Sequence, residues 1–210
     1  MSHDYHAEST NIRLRLQRLG LTSDRLERIG AFIVAYGLFE TTLELALWTL
    51  TEIDVAGGRP FTERMKSEDQ FARLGVGNPK LTPECNAVLK VAAQAASHLS
   101  DYRNSLVHGY LLAFEDGGTP SFMKSPAWYG ERRNKPVGDA YVHEPIQDLV
   151  LIAAWTLFSL VRLVEKSLSV PEVQQSIEAM AQDVNRAKSY AGEARHLRAL
   201  AHHEKIKPLT

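Results

Sequence analysis

Apolar residues recur every three or four positions along most of the chain, the spacing of amphipathic helices. Between about residues 23 and 53, Phe32, Ile33, Tyr36, Phe39, Leu43 and Leu47 form one stripe, with Glu40 and Glu44 beside it. This predicts a long helix capped by Ser23 or Asp24. Gly57-Gly58-Arg59-Pro60 breaks the pattern, and residues 61–74 predict a shorter helix. A second break runs from Gly75 to Pro83. Thr82 then opens another long helix, with Pro83 in its first turn and Val88, Leu89, Ala92, Ala96, Leu99, Tyr102, Leu106 and Val107 as its apolar positions. Helical spacing resumes over about 143–168 and again from Pro171 to about His203. Residues 10–20, TNIRLRLQRLG, read as a short helix or a basic arm.

The pattern changes after Gly109. Short apolar segments flank Asp116-Gly117-Gly118, which predicts a β-hairpin, and Arg132 to Gly138 reads as a polar, basic loop. The expected fold is therefore all-α, an antiparallel helical bundle with a small β-hairpin insertion after the second long helix. Residues 1–22 would be an N-terminal arm or short helix, 23–170 the bundle, and 171–210 a C-terminal helix packed on it. The longest apolar run, Leu149 to Val161, is interrupted by Thr156 and Ser159 and is shorter than the ~20 residues of a membrane span. It reads as a buried core helix, and no membrane partner is expected.

Composition narrows the function classes. Hydrophobic residues are 44% and charged residues 23% of the 210, which excludes global disorder. With 24 basic and 25 acidic residues, a uniformly basic nucleic-acid coat is excluded, although a local basic patch is not. The single cysteine, Cys85, allows neither an intramolecular disulfide nor a cysteine zinc site, so the chain reads as cytoplasmic. His202 and His203 are adjacent and do not share a helix face, so no metal and no cofactor are expected.

The stretch with the most chemistry is Asp101-Tyr102-Arg103-Asn104-Ser105-Leu106-Val107-His108-Gly109-Tyr110. On a helix, Asn104 and His108 lie four apart and share a face. Arg103 and His108 lie five apart, about 140° around the axis, and so flank a cleft rather than stack. Gly109 can end the helix and leave His108 in its final turn. These residue types suit phosphodiester cleavage. Histidine moves protons near neutral pH. Arginine grips phosphate and stabilises the extra charge of a pentacoordinate phosphorus. Asn104 could hold the imidazole tautomer, bind a phosphate oxygen, or only cap the helix. Against RNA such a set needs no metal, because the 2′-hydroxyl is a built-in nucleophile. Spacing alone is weak: 15 arginines and 8 histidines give about 0.6 such pairs by chance. Arg198 and His203 make a second pair. The neighbouring Asn104, Gly109 and Tyr110 distinguish the first.

With these residues the chain resembles the HEPN superfamily, whose ribonucleases carry Arg, usually a polar residue, then His a few positions on. Here these are Arg103, Asn104 and His108. Some toxin members add a tyrosine two positions later, matched by Tyr110. The resemblance spans about residues 24–168. It implies a bundle that forms a homodimer through its motif helices, with a composite cleft holding two copies of Arg103 and His108. It also implies metal-independent endoribonuclease activity on RNA, in toxin–antitoxin, phage-defence or RNA-processing settings, and an antitoxin protein as a candidate partner. A non-catalytic interaction, regulatory or nucleotide-binding module is the alternative. Glu40 either orients Arg103 or is an ordinary ion-pair partner, and Tyr110 is either a packing residue or a modification site. Trp128-Tyr129 beside Arg132, Arg133 and Lys135 could stack and grip single-stranded RNA or form a solvated turn. Trp48 and Trp155 fall on apolar stripes and are expected in the core.

Overall fold

A computed structural model describes residues 4–54, 62, 65–112, 119–124, 127–128, 131–132 and 138–206. Among them the chain is mostly helical: α1 (Tyr5–Arg18), α2 (Ser23–Thr51), α3 (Ser67–Leu74), α4 (Pro83–His108), α5 (Glu144–Lys166) and α6 (Val170–Ile206). Between α4 and α5 lie five short strands, β1 (Tyr110–Leu112), β2 (Ser121–Lys124), β3 (Ala127–Trp128), β4 (Glu131–Arg132) and β5 (Gly138–Tyr141).

Local chemistry sets the helix limits. The Thr22 hydroxyl accepts from the Arg25 N–H, so α2 is capped one residue earlier than the predicted Ser23 or Asp24. Thr82 caps α4 by accepting from the Cys85 N–H at 3.1 Å, with Pro83 in the first turn as expected. The helix predicted over 61–74 is confined to Ser67–Leu74, because Lys66 has an extended backbone (φ −68°, ψ 156°). Thr62 is buried instead. Its hydroxyl accepts from the Trp48 indole at 2.6 Å and donates to Glu44 at 2.7 Å.

Side chains from α2 to α6 and from β5 form one core. α2 and α5 start side by side, where Arg28 pairs with Asp148 and the Gln147 amide reaches the Arg25 carbonyl. α4 starts where α2 ends, through Lys80–Glu52 and Asn78–Leu50 contacts, and so runs back along α2. α6 follows α4 in the same direction, with Cys85 against Gln174 and Glu178, and His98 against Arg195. Aromatic rings join α2 to α4 and to α3. Phe32 meets Tyr102 edge-on at 5.4 Å, and Phe39 stacks on Phe71 at 5.2 Å.

The insertion contains more than a hairpin. β1 and β2 pair antiparallel as predicted, but β5 adds a third strand on the other side of β2. The Asp116-Gly117-Gly118 turn lies outside the described residues. Two expectations of burial are corrected. Trp155 is 53% exposed, because it lies on α5 about 200° from the core residue Leu157, and its ring packs beside Phe158 at 5.2 Å. Val107 is 47% exposed, whereas Leu106 beside it is buried. The Leu149–Val161 run lies within a longer helix, α5. α2 and α5, at 29 and 23 residues, have 18-residue windows of mean hydropathy 1.4 and 1.6, enough to cross a bilayer by length and composition. Half of the α5 window is buried inside the protein.

Candidate functional site

The last two turns of α4 are held by Tyr102. Its ring is buried against Phe32, and its hydroxyl donates to the Tyr141 carbonyl of β5 at 2.9 Å. This anchor places the next residue, Arg103, at the seam with α2. There its Nη2 lies 3.6 Å from Glu40 Oε2, and the two side chains are 30% and 21% exposed. Arg103 Nη1 donates to Asn104 Oδ1 at 3.0 Å, and Asn104 Nδ2 donates to the Ser100 hydroxyl at 3.4 Å. The guanidinium is therefore fixed from two sides while part of it still faces solvent. Glu40 thus meets Arg103 across the two helices, a contact common to both roles open to it.

His108 is the last residue of α4 and is exposed. Gly109 follows with extended backbone, and its N–H still bonds the Ser105 carbonyl at 2.9 Å. A Cβ there would stand 2.3 Å from the Ser105 carbonyl oxygen and 3.1 Å from that of Met123. Glycine is required by this close approach, which lets α4 end directly against β2. Tyr110 opens β1, is half-buried, and directs its hydroxyl to the Met123 sulfur at 3.2 Å.

Two neighbours of Arg103 escaped sequence reasoning as site residues. Ser100 stands four residues before Asn104, a helical spacing that could have identified it. Tyr36 was legible only as core. Its ring is buried, and among the described residues its hydroxyl makes no hydrogen bond of ordinary geometry. Burial pushes its phenol far above the usual tyrosine range. The nearby Ser100 hydroxyl and Arg103 charge pull it down, and Glu40 and Glu68 push it up. Ser100 also lines a shallow hollow of about 330 Å³ between α3 and α4, with Glu68, Ser97 and Asp101.

The structure thus brings Arg103, Asn104, Glu40, Ser100 and Tyr36 together, with His108 a turn further along α4. Arg133 and Lys135 lie outside the described residues, as do the side chains of Arg132 and Trp128. Arg103 lies at the seam with its side chain 30% exposed, and His108 is exposed at the helix end. Neither a family model, nor a curated protein, nor a solved structure matches the chain.

Proposed function

We propose that the chain is a HEPN-type, metal-independent endoribonuclease that works as a homodimer. Its antiparallel bundle would bring the ends of two α4 helices together. The observation that carries this reading is the ordered array on α4: Arg103 tethered by Glu40 and Asn104, and His108 exposed at a glycine-capped helix end. Arg103 binds a non-bridging phosphate oxygen and stabilises the phosphorane. One His108 takes the proton of the 2′-hydroxyl, whose oxygen attacks phosphorus. The other His108 gives a proton to the departing 5′-oxygen. The products are a 2′,3′-cyclic phosphate and a 5′-hydroxyl. Asn104 positions the guanidinium. The resemblance further suggests a cytoplasmic toxin or phage-defence effector, with an antitoxin as partner.

The test is cleavage of a mixed-sequence RNA in excess EDTA. The wild type is expected to cut, and Arg103→Ala and His108→Ala each to lose about 100-fold or more, as when one transition-state donor is removed. Equal cleavage by all three proteins refutes the assignment. A second reading, a non-catalytic nucleotide-binding or regulatory module, has one observation in its favour: both Nη atoms of Arg103 already have partners within the chain. It predicts thermal stabilisation by nucleotides without any cleavage.

A further inference from the structure

Serines inside helices commonly turn their hydroxyls back to the carbonyl one turn earlier. Ser105, Ser159 and Ser189 do so, bonding the Asp101, Trp155 and Asn185 carbonyls at 2.9, 2.9 and 3.1 Å. Ser100 does not. It is buried within α4, at 8% exposure, and among the described residues its hydroxyl bonds no backbone group. It accepts instead from Asn104 Nδ2 at 3.4 Å. Its other polar neighbour is the Tyr36 phenol on α2, whose titration it pulls down, as a donating hydroxyl does. A buried hydroxyl is thus turned away from its own backbone and towards the side chain that holds Arg103.

The chemistry of three side chains fixes the direction of these contacts. A guanidinium has N–H donors and no acceptor. Asn104 must therefore offer Oδ1 to Arg103 Nη1, as it does at 3.0 Å. Its Nδ2 is then left on the other side of the carboxamide and, because Asn104 is half-buried, needs a protein acceptor. Ser100 Oγ is that acceptor. Without it the carboxamide is free to turn about its terminal torsion, which is broad and soft. Arg103 would then keep only Glu40, whose carboxylate lies at 3.6 Å, beyond ordinary hydrogen-bond reach. A charge at that distance attracts the guanidinium but does not fix its plane. Ser100 and Asn104 stand one turn apart on α4, and Tyr36 and Glu40 one turn apart on α2, so each helix supplies a pair of neighbours to the groups around Arg103.

We propose that Ser100 is a positioning residue: by holding the Asn104 carboxamide, its hydroxyl fixes the plane of the Arg103 guanidinium for a phosphate oxygen. Ser100 touches no substrate and acts only through Asn104. The link to phosphate rests on the ribonuclease reading, whereas the immobilisation of Arg103 does not.

The experiment uses the full chain and two readouts. The first is nitrogen NMR of the isotope-labelled Arg103 side chain, identified by the signals that vanish in Arg103→Lys. In the wild type, slow rotation about the Cζ–N bonds is expected to keep the Nη signals resolved. Ser100→Ala should speed that rotation about three- to tenfold, the worth of one net hydrogen bond. Ser100→Thr keeps the hydroxyl and should keep the slow rotation. Ser100→Cys preserves the volume with a much weaker acceptor and should behave as the alanine variant does, which separates a lost hydrogen bond from a cavity. The second readout is RNA cleavage in EDTA. Ser100→Ala should lower kcat about three- to tenfold with KM nearly unchanged, because a misplaced guanidinium fails the extra charge of the phosphorane. In an Arg103→Ala background it should lower the residual rate no further. Three results overturn the proposal: a wild-type Arg103 whose Nη groups already rotate freely; rotation unchanged in both Ser100→Ala and Ser100→Cys; or a loss of cleavage equally large with and without Arg103. A wild type that cuts no RNA refutes the ribonuclease reading, and the rotation measurement then decides alone whether Ser100 holds Arg103. An active wild type with unchanged rotation in the variants refutes only the role of Ser100.

Discussion

Tyr36→Phe removes one oxygen and leaves every ring contact in place. The ring meets Phe32, Phe39 and Phe71 at centroid distances of 5.9 to 6.2 Å, and phenylalanine reproduces these contacts. The lost hydroxyl is buried with the Ser100 hydroxyl nearby but no hydrogen bond of ordinary geometry, a state that costs up to about 1–3 kcal/mol in desolvation. The variant should therefore be more stable by roughly 1 kcal/mol at pH 7, a rise of about 2–4 °C in melting temperature for a chain of this size. A second signature comes from titration. Burial holds the folded phenol above its usual value, with Ser100 and Arg103 opposing and Glu40 and Glu68 reinforcing the rise. The folded state therefore keeps its proton where the unfolded chain loses it. Wild-type stability is fully present below about pH 10 and falls as pH rises beyond it. At pH 11 the unfolded chain gains about 1.4 kcal/mol from this one group. The advantage of Tyr36→Phe should widen by that amount between pH 7 and pH 11. Urea unfolding of both proteins at the two pH values measures it. A destabilised variant, or an advantage that does not change with pH, would refute the reading of Tyr36 as a buried phenol without a well-formed hydrogen bond.

Three further outcomes are expected. Tyr102→Phe should lose about 1–2 kcal/mol through its buried bond to the Tyr141 carbonyl, and hydrogen exchange should rise first at the end of α4 and in β5. Gly109→Ala should cost about 1–3 kcal/mol, because the added Cβ meets the Ser105 and Met123 carbonyl oxygens, and an unchanged denaturation midpoint would contradict that contact. Glu40→Gln pairs a partly exposed ion with a neutral amide and should change stability by less than about 1 kcal/mol, while RNA cleavage falls because Arg103 loses its orienting charge.

The chain shows in its own letters whatever short-range chemistry decides. Thr82-Pro83 and Gly109 mark the limits of α4 because caps and close approaches act within a few residues. The shorter extent of α3 was hidden because it depends on Thr62 being drawn to Trp48 and Glu44 on another helix. The third strand was hidden because β5 is far along the chain from β2 and begins with Gly138 and Asp139. Trp155 was misread because periodicity marks apolar positions without saying which of them other elements cover. The same limit applies at the candidate site. Arg103, Asn104 and His108 could be placed on one helix end from spacing alone, and Glu40 could be seen beside an apolar stripe. That Glu40 meets Arg103, and that the hydroxyls of Tyr36 and Ser100 lie close by, are long-range facts of packing.

The central claim is that Arg103 and His108 act together across two copies of the chain. Subunit complementation measures this directly. Arg103→Ala and His108→Ala proteins are each assayed alone on RNA in EDTA, then mixed, allowed to exchange subunits, and assayed again. The account predicts that both are strongly impaired alone and that the mixed dimer, which regains one guanidinium and keeps one imidazole to serve as base or acid but not both, cleaves faster than either parent and well below wild type. A mixture that demonstrably forms mixed dimers yet stays as inactive as its parents, beside an active wild type, would contradict it.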